Sequence, residues 1–191
     1  MDVHEMKECF IQLGKVFEDQ ASILTELDRA IGDGDHGVNM LRGFQALPSK
    51  LNDSSMAELF KSVGMTLMSQ VGGASGPLYG FSFVKMAQVV HDEIDRANLK
   101  EVLQAFSDAV AQRGKVTLNE KTMLDVIERA RQAVAEDQTV SLKKLQSFAD
   151  ETKEIEATKG RAAYFKEESL GHIDPGAQSS VYILNALIGD E

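Results

Sequence analysis

Apolar residues recur at three- and four-residue intervals along almost the whole chain, a period that admits little besides amphipathic helices packed face to face. Met6, Phe10, Leu13, Phe17 and Leu24 form one stripe, and Leu99, Val102, Leu103, Phe106 and Val110 form another. Strand-like alternation is scarce. Gly, Pro, Asn, Asp and Ser punctuate the pattern and predict about eight helices, near 3–30, 37–47, 55–70, 76–92, 98–113, 119–135, 139–158 and 175–188. Ser180-Val181-Tyr182-Ile183-Leu184 has the composition of a short strand. Helix is favoured there, because Asp174 is a good N-cap, Pro175 suits the first helical position, and Ala177, Val181, Leu184 and Ile188 share one face. With no repeat, low-complexity tract or linker, the reading is one all-α domain over residues 1–191.

At 191 residues such a domain can bury a core without disulfide or metal staples. A formal charge of −10 and a pI near 4.9 exclude a nucleic-acid or anionic-membrane surface, which needs clustered Lys and Arg. Any bound phosphate must therefore be held locally. Cys9 is the sole cysteine, so neither a disulfide framework nor a cysteine zinc site can form. It lies beside Phe10 without a recognisable base, which argues against a covalent hydrolase. The opening Met1-Asp2-Val3-His4-Glu5 lacks the features of a signal peptide, and no apolar run reaches the length of a membrane span. A cytoplasmic protein is expected.

The segment Asp28-Arg29-Ala30-Ile31-Gly32-Asp33-Gly34-Asp35-His36-Gly37 packs three carboxylates among three glycines. Clustered carboxylates repel unless a cation intervenes, and a hard divalent ion such as Mg²⁺ is the natural partner. The stripe Leu13, Phe17, Leu24 continues onto Asp28 and turns that carboxylate toward the core. Asp33 and Asp35 follow in a turn whose glycines let the chain fold back, so the three can converge on one cation or a pair. Mg²⁺ favours a few carboxylates completed by waters and phosphate oxygens, hence a metal–phosphate site. The plainer alternative makes Asp33 and Asp35 caps of the next helix, with Asp28 in solvent. An EF-hand is excluded, because Gly37 falls at the third ligand position and Phe44 where the bidentate Glu belongs. Three Asp and one His also suit structural zinc poorly.

Val71-Gly72-Gly73-Ala74-Ser75-Gly76-Pro77-Leu78-Tyr79-Gly80 lies between two predicted helices and can bring bare amides to a phosphate or sugar. It is neither a Walker A loop nor a Rossmann turn. Equally, Gly72, Gly76 and Gly80, spaced four apart, can serve close helix packing. Gly160-Arg161-Ala162-Ala163-Tyr164 supplies a cation able to pair with phosphate oxygens, though a lone arginine more often forms a surface ion pair.

Gly32-Asp33-Gly34-Asp35-His36-Gly37, the Gly72–Gly76 loop, Lys121-Thr122-Met123-Leu124-Asp125, Gly160-Arg161 and Asp174-Pro175-Gly176-Ala177 together resemble the nucleotide-binding L subunit family of dihydroxyacetone kinase, in motif order along nearly the whole chain. The resemblance implies a closed, antiparallel up-and-down barrel of eight helices holding ADP or ATP and two Mg²⁺ at one end. It implies Asp28, Asp33 and Asp35 as metal ligands. For the nucleotide it implies His36, Gly37, Val38, Asn39, Ala74, Ser75, Gly114, Met123, Arg161, Asp174, Pro175 and Gly176, with Arg161 as a phosphate stabiliser and no general base. Asn119 departs from the pattern, since many relatives carry glycine in that turn. A stand-alone chain resembles the phosphotransferase-system type. A phosphohistidine of the multiphosphoryl M subunit would convert bound ADP to ATP, whose γ-phosphoryl would pass to dihydroxyacetone on the K subunit. A homodimer is compatible with this reading. The competing readings are the nucleotide domain of a related kinase, such as the fatty acid kinases, and a helical metal-binding protein without phosphoryl chemistry.

Overall fold

Side-chain caps decide where most of the helices begin. Asp2, Asp95 and Thr122 form reciprocal capping boxes with Glu5, Asn98 and Asp125, while Ser55, Ser141 and Asp174 each accept an amide from the first turn that follows. A computed structural model describes residues 1–189. Residues 190 and 191, the end of the expected domain, lie outside the described residues. The α-helices are α1 (Val3–Ile31), α2 (His36–Gln45), α3 (Met56–Gln70), α4 (Ser75–Met86), α5 (Arg96–Gly114), α6 (Met123–Ala135), α7 (Leu142–Glu151) and α8 (Pro175–Ile188). Short 3₁₀ segments cover Leu47–Ser49, Thr152–Glu154 and Ala162–Ser169.

The all-α expectation holds, and four boundaries move. The helix expected over 37–47 ends at Gln45, followed by a 3₁₀ turn, and the one expected over 76–92 ends at Met86, where i→i+3 bonds from Gln88 and Val89 tighten the chain out of α-helix. The helix expected from 119 starts at Met123, because Asn119 (φ 67°) and Lys121 (φ 60°) are left-handed. The one expected over 139–158 is the ten-residue α7 plus a 3₁₀ turn.

Each helix packs on the next, and α8 returns to pack on α1, so the ring closes. The loops α1–α2, α3–α4 and α5–α6 and the long α7–α8 connection all reach one cleft. Chain direction therefore alternates, as in an up-and-down barrel. Inside, Phe10 packs edge-on against Phe60 and Phe83, Phe83 meets Phe106, and Phe17 stacks on Phe44 at 4.3 Å between centroids. Two glycine contacts draw helices unusually close. A Cβ on Gly37 would strike the Ala21 carbonyl across α1–α2, and Gly64 and Gly80 face each other's carbonyl oxygens across α3–α4. Among the described residues, no helix is long and apolar enough to cross a membrane.

Candidate functional site

The antiparallel ring brings the C-terminal ends of α1, α3 and α5 to the same end as the N-termini of α2, α4, α6 and α8. A cleft of about 460 Å³ opens between them. Helix N-termini carry unpaired amides and partial positive charge, which suits an anion.

Asp28 is buried at the end of α1, and its Oδ2 accepts amide hydrogen bonds from Asp35 (2.8 Å) and His36 (3.0 Å). The first turn of α2 is thus capped from α1, while Asp35 itself makes no side-chain cap bond. This reverses the plainer sequence reading: Asp28 caps, and the Asp33 and Asp35 carboxylates are left for the cleft. One oxygen from each of Asp28, Asp33 and Asp35 lies within 4.8 Å of the others. Hard oxygen donors at that spacing fit a divalent cation. Arg161, from the α7–α8 connection, pairs with Asp33 across 128 positions of sequence.

Gly72, Gly73, Ala74 and Ser75 line the cleft opposite. A side chain at Gly72 would run into Asn39 Oδ1, and Gly73 sits at φ 66°, so the chain passes here only as glycine. Asn39 is held by Arg42, whose Nε donates to the Gln70 carbonyl at 2.7 Å and fixes the exit of α3. α4 then begins at Ser75 without a side-chain cap. The glycines divide their labour: Gly72 and Gly73 form the cleft, Gly80 packs helices, and Gly76 tucks against the Val71 carbonyl while touching the lining.

His36 is buried, its Nδ1 3.2 Å from Ser75 Oγ and its Nε2 3.0 Å from Ser179 Oγ. Desolvation outweighs the nearby carboxylates and lowers its pKa to about 4, so the imidazole is neutral. Burial pushes the Asp174 carboxyl up to about 7, while its Oδ2 accepts the Ala177 amide at 2.8 Å. Lys121 is wholly buried, donating to the carbonyls of Thr152 (2.5 Å) and His172 (2.6 Å), and its pKa is lowered by burial. It staples the α5–α6 loop to the α7–α8 connection.

Of the expected residues, Asp28, Asp33, Asp35, His36, Asn39, Ala74, Ser75, Gly114, Met123, Arg161, Asp174, Pro175 and Gly176 line the cleft. Gly37 and Val38 do not: Gly37 faces α1, and the Val38 side chain is 58% exposed on the outer face of α2. Sequence reading missed Leu78, Val110 and Val116, which give the cleft an apolar wall, and the cations Arg113, Lys121 and Lys159. Lys121 opens a motif already singled out, though it was given no role there, and Arg113 precedes the expected Gly114. Lys159 carried no signal beyond its place before Gly160. Asn119, the departure from the family pattern, takes the left-handed backbone that glycine would adopt freely and asparagine tolerates.

The DAK2 domain model matches residues 30–189. The "PEP-dependent dihydroxyacetone kinase 1, ADP-binding subunit DhaL" of Listeria innocua is 43% identical over 183 residues, covering 93% of this chain and 91% of that protein. The chain belongs to the DhaL family of DAK2 domains. The DhaL of Escherichia coli, likewise named an ADP-binding subunit of a PEP-dependent dihydroxyacetone kinase, is 40% identical over 190 residues and is covered to 90% of its length, against 91% of this one. The fold of this DhaL-family chain is shared with the dihydroxyacetone kinase of C. freundii in its native form, at a TM-score of 0.74 and 23% identity, over 96% of this chain but 34% of that one. The same kinase in complex with AMP-PNP and Mg²⁺ matches at a TM-score of 0.70 and 23% identity, over 96% of this chain and 33% of that one. The DhaL-type chain therefore spans about a third of that kinase's length.

Proposed function

We propose that residues 1–191 form one domain that acts as the nucleotide-carrying L subunit of a phosphoenolpyruvate-dependent dihydroxyacetone kinase, with ADP/ATP and two Mg²⁺ held in the cleft. The convergence of Asp28, Asp33 and Asp35 beneath the mouths of α2, α4 and α8 carries this reading. The three carboxylates would hold the metal, whose charge would neutralise phosphate oxygens. Amides of the Gly72–Gly73 loop and the start of α4, with Ser75, would cradle the diphosphate, and the apolar wall of Leu78, Val110, Val116 and Met123 suits a planar base. Arg161, paired with Asp33, stands where it can turn its guanidinium onto a terminal phosphoryl group.

Phosphoryl transfer depends on positioning and charge neutralisation more than on a protein nucleophile, and the carboxylates, cations and helix amides around this cleft suit both. His36 is neutral and committed at both ring nitrogens, so it serves as an uncharged wall and not as a phosphoryl acceptor. In this reading the phosphoryl group arrives from a phosphohistidine of the multiphosphoryl subunit and leaves to dihydroxyacetone on the K subunit. The test is native mass spectrometry of the purified chain, followed by incubation with the phosphorylated M subunit. ADP and two metals should travel with the protein, and the ADP should become ATP. A chain that binds Mg²⁺ indifferently to nucleotide would overturn the proposal in favour of a metal-binding protein. Asp33→Ala or Asp35→Ala should abolish Mg²⁺-dependent ADP retention while leaving the circular dichroism spectrum helical.

A further inference from the structure

Behind the cleft lies a hydrogen-bonded chain that the phosphate-facing residues alone do not explain. From Ser75 it passes to His36, from His36 Nε2 to Ser179 Oγ, and from there to Tyr79 Oη at 2.7 Å. Tyr79 Oη also lies 2.8 Å from Ser180 Oγ and 3.1 Å from the Gly176 carbonyl. Tyr79, Ser179 and Ser180 have no exposed surface, and none of them lines the cleft.

A carbonyl only accepts, and Ser179, Ser180 and Tyr79 all lie within reach of the Gly176 oxygen. An arrangement in which Ser180 donates to Tyr79, Tyr79 to Ser179, Ser179 to His36 Nε2 and His36 Nδ1 to Ser75 Oγ uses every proton once and leaves the Ser75 O–H free for an anion. Burying so many hydroxyls is costly unless each is satisfied, and a phenylalanine at 79 would fill the same space without that demand. The phenol instead ties α4 to α8 directly and, through Ser179, to His36 at the start of α2, near the helix ends that open on the cleft. It restrains the Ser179 hydroxyl, hence the plane and tautomer of His36, hence Ser75 at the entrance of uncapped α4.

We infer that Tyr79 is a positioning residue of the anion-binding wall, acting through Ser179 and His36 on Ser75. The inference rests on the nucleotide reading above. Its test is calorimetry of Mg·ADP binding to the full chain and to Tyr79→Phe, Ser75→Ala and the double variant, together with the ¹⁵N shifts of the His36 imidazole. Tyr79→Phe should weaken binding roughly tenfold, the order expected for one lost hydrogen bond, and should move the His36 nitrogen resonances. The double variant should be no weaker than the weaker single, since both act on one path. Ser179→Ala, which cuts the path between Tyr79 and His36, should reproduce the Tyr79→Phe effect, whereas Ser180→Ala, off the path, should fall short of it. Wild-type affinity with unmoved His36 shifts in Tyr79→Phe and Ser179→Ala would overturn the inference, as would independent, multiplying effects in the double variant. A wild-type chain that takes up no Mg·ADP would refute the nucleotide reading instead, and the His36 shifts would then decide the positioning role alone.

Discussion

Two ionisable residues of the cleft work against each other. His36 stays neutral in the fold down to about pH 4, while in the unfolded chain it takes a proton near its ordinary 6.5. The unfolded state then binds more protons between those values, so this residue makes stability fall as pH drops from 6.5 toward 4. Asp174 keeps its proton in the fold up to about pH 7 but loses it near 3.8 when unfolded, so its contribution falls as pH rises across that range. In metal-free protein the two slopes oppose, each on the order of 1.4 kcal/mol per pH unit at most. Urea unfolding in chelator should therefore separate them. Asp174→Asn should leave stability rising from about pH 4.5 to 6 relative to wild type, and His36→Gln should leave it falling. Equal slopes in all three proteins would refute this assignment. At this scale the sequence was only partly legible. Asp28 could be read because it extends the apolar stripe of its own helix, whereas Arg161 meets Asp33, and Lys121 meets Thr152 and His172, through chain closure that no local pattern encodes.

The helices were legible where a cap and a stripe coincide, as in α3, α5 and α8, whose expected ranges match within two residues. Where apolar residues ran on without a cap the pattern misled: Val89 and Val90 extend the stripe of α4 beyond its end at Met86. The start of α6 was marked after all, since Thr122 and Asp125 form a capping box that outweighs the preceding polar residues. The 3₁₀ segment at Ala162–Ser169 had no helical period to detect, and Lys166 within it is left-handed at φ 50°. Helix packing carries its own prediction. A methyl at Gly64 would sit 2.6 Å from the Gly80 carbonyl oxygen and 3.0 Å from the Val84 amide nitrogen, so α3 and α4 must part to admit it. Gly64→Ala should lower stability by about 2 kcal/mol, seen as a lower urea midpoint at unchanged slope. An unchanged midpoint would mean the helices separate freely.

At the scale of the molecule, the ring and the ligand should stabilise each other, because the cleft draws on four connections separated along the chain. Saturating Mg·ADP at about a hundred times its dissociation constant should add about 2.7 kcal/mol. For a chain of this size that raises the melting temperature by roughly 5–10 °C. Mg²⁺ alone should give a smaller shift, and Asp35→Ala should abolish the shift with Mg·ADP; thermal melts with each addition check both. Ring closure has one more consequence. A Cβ on Gly189, at the end of α8, would lie 4.0 Å from the Met1 side chain, and the Met1 amino group donates to the Ile94 carbonyl at 2.6 Å, at the end of the barrel away from the cleft. A polypeptide thus enters and leaves the barrel at one spot remote from the chemistry. Such a barrel can be spliced into a longer chain as a cassette, its mouth still free, without any helix having to be rerouted.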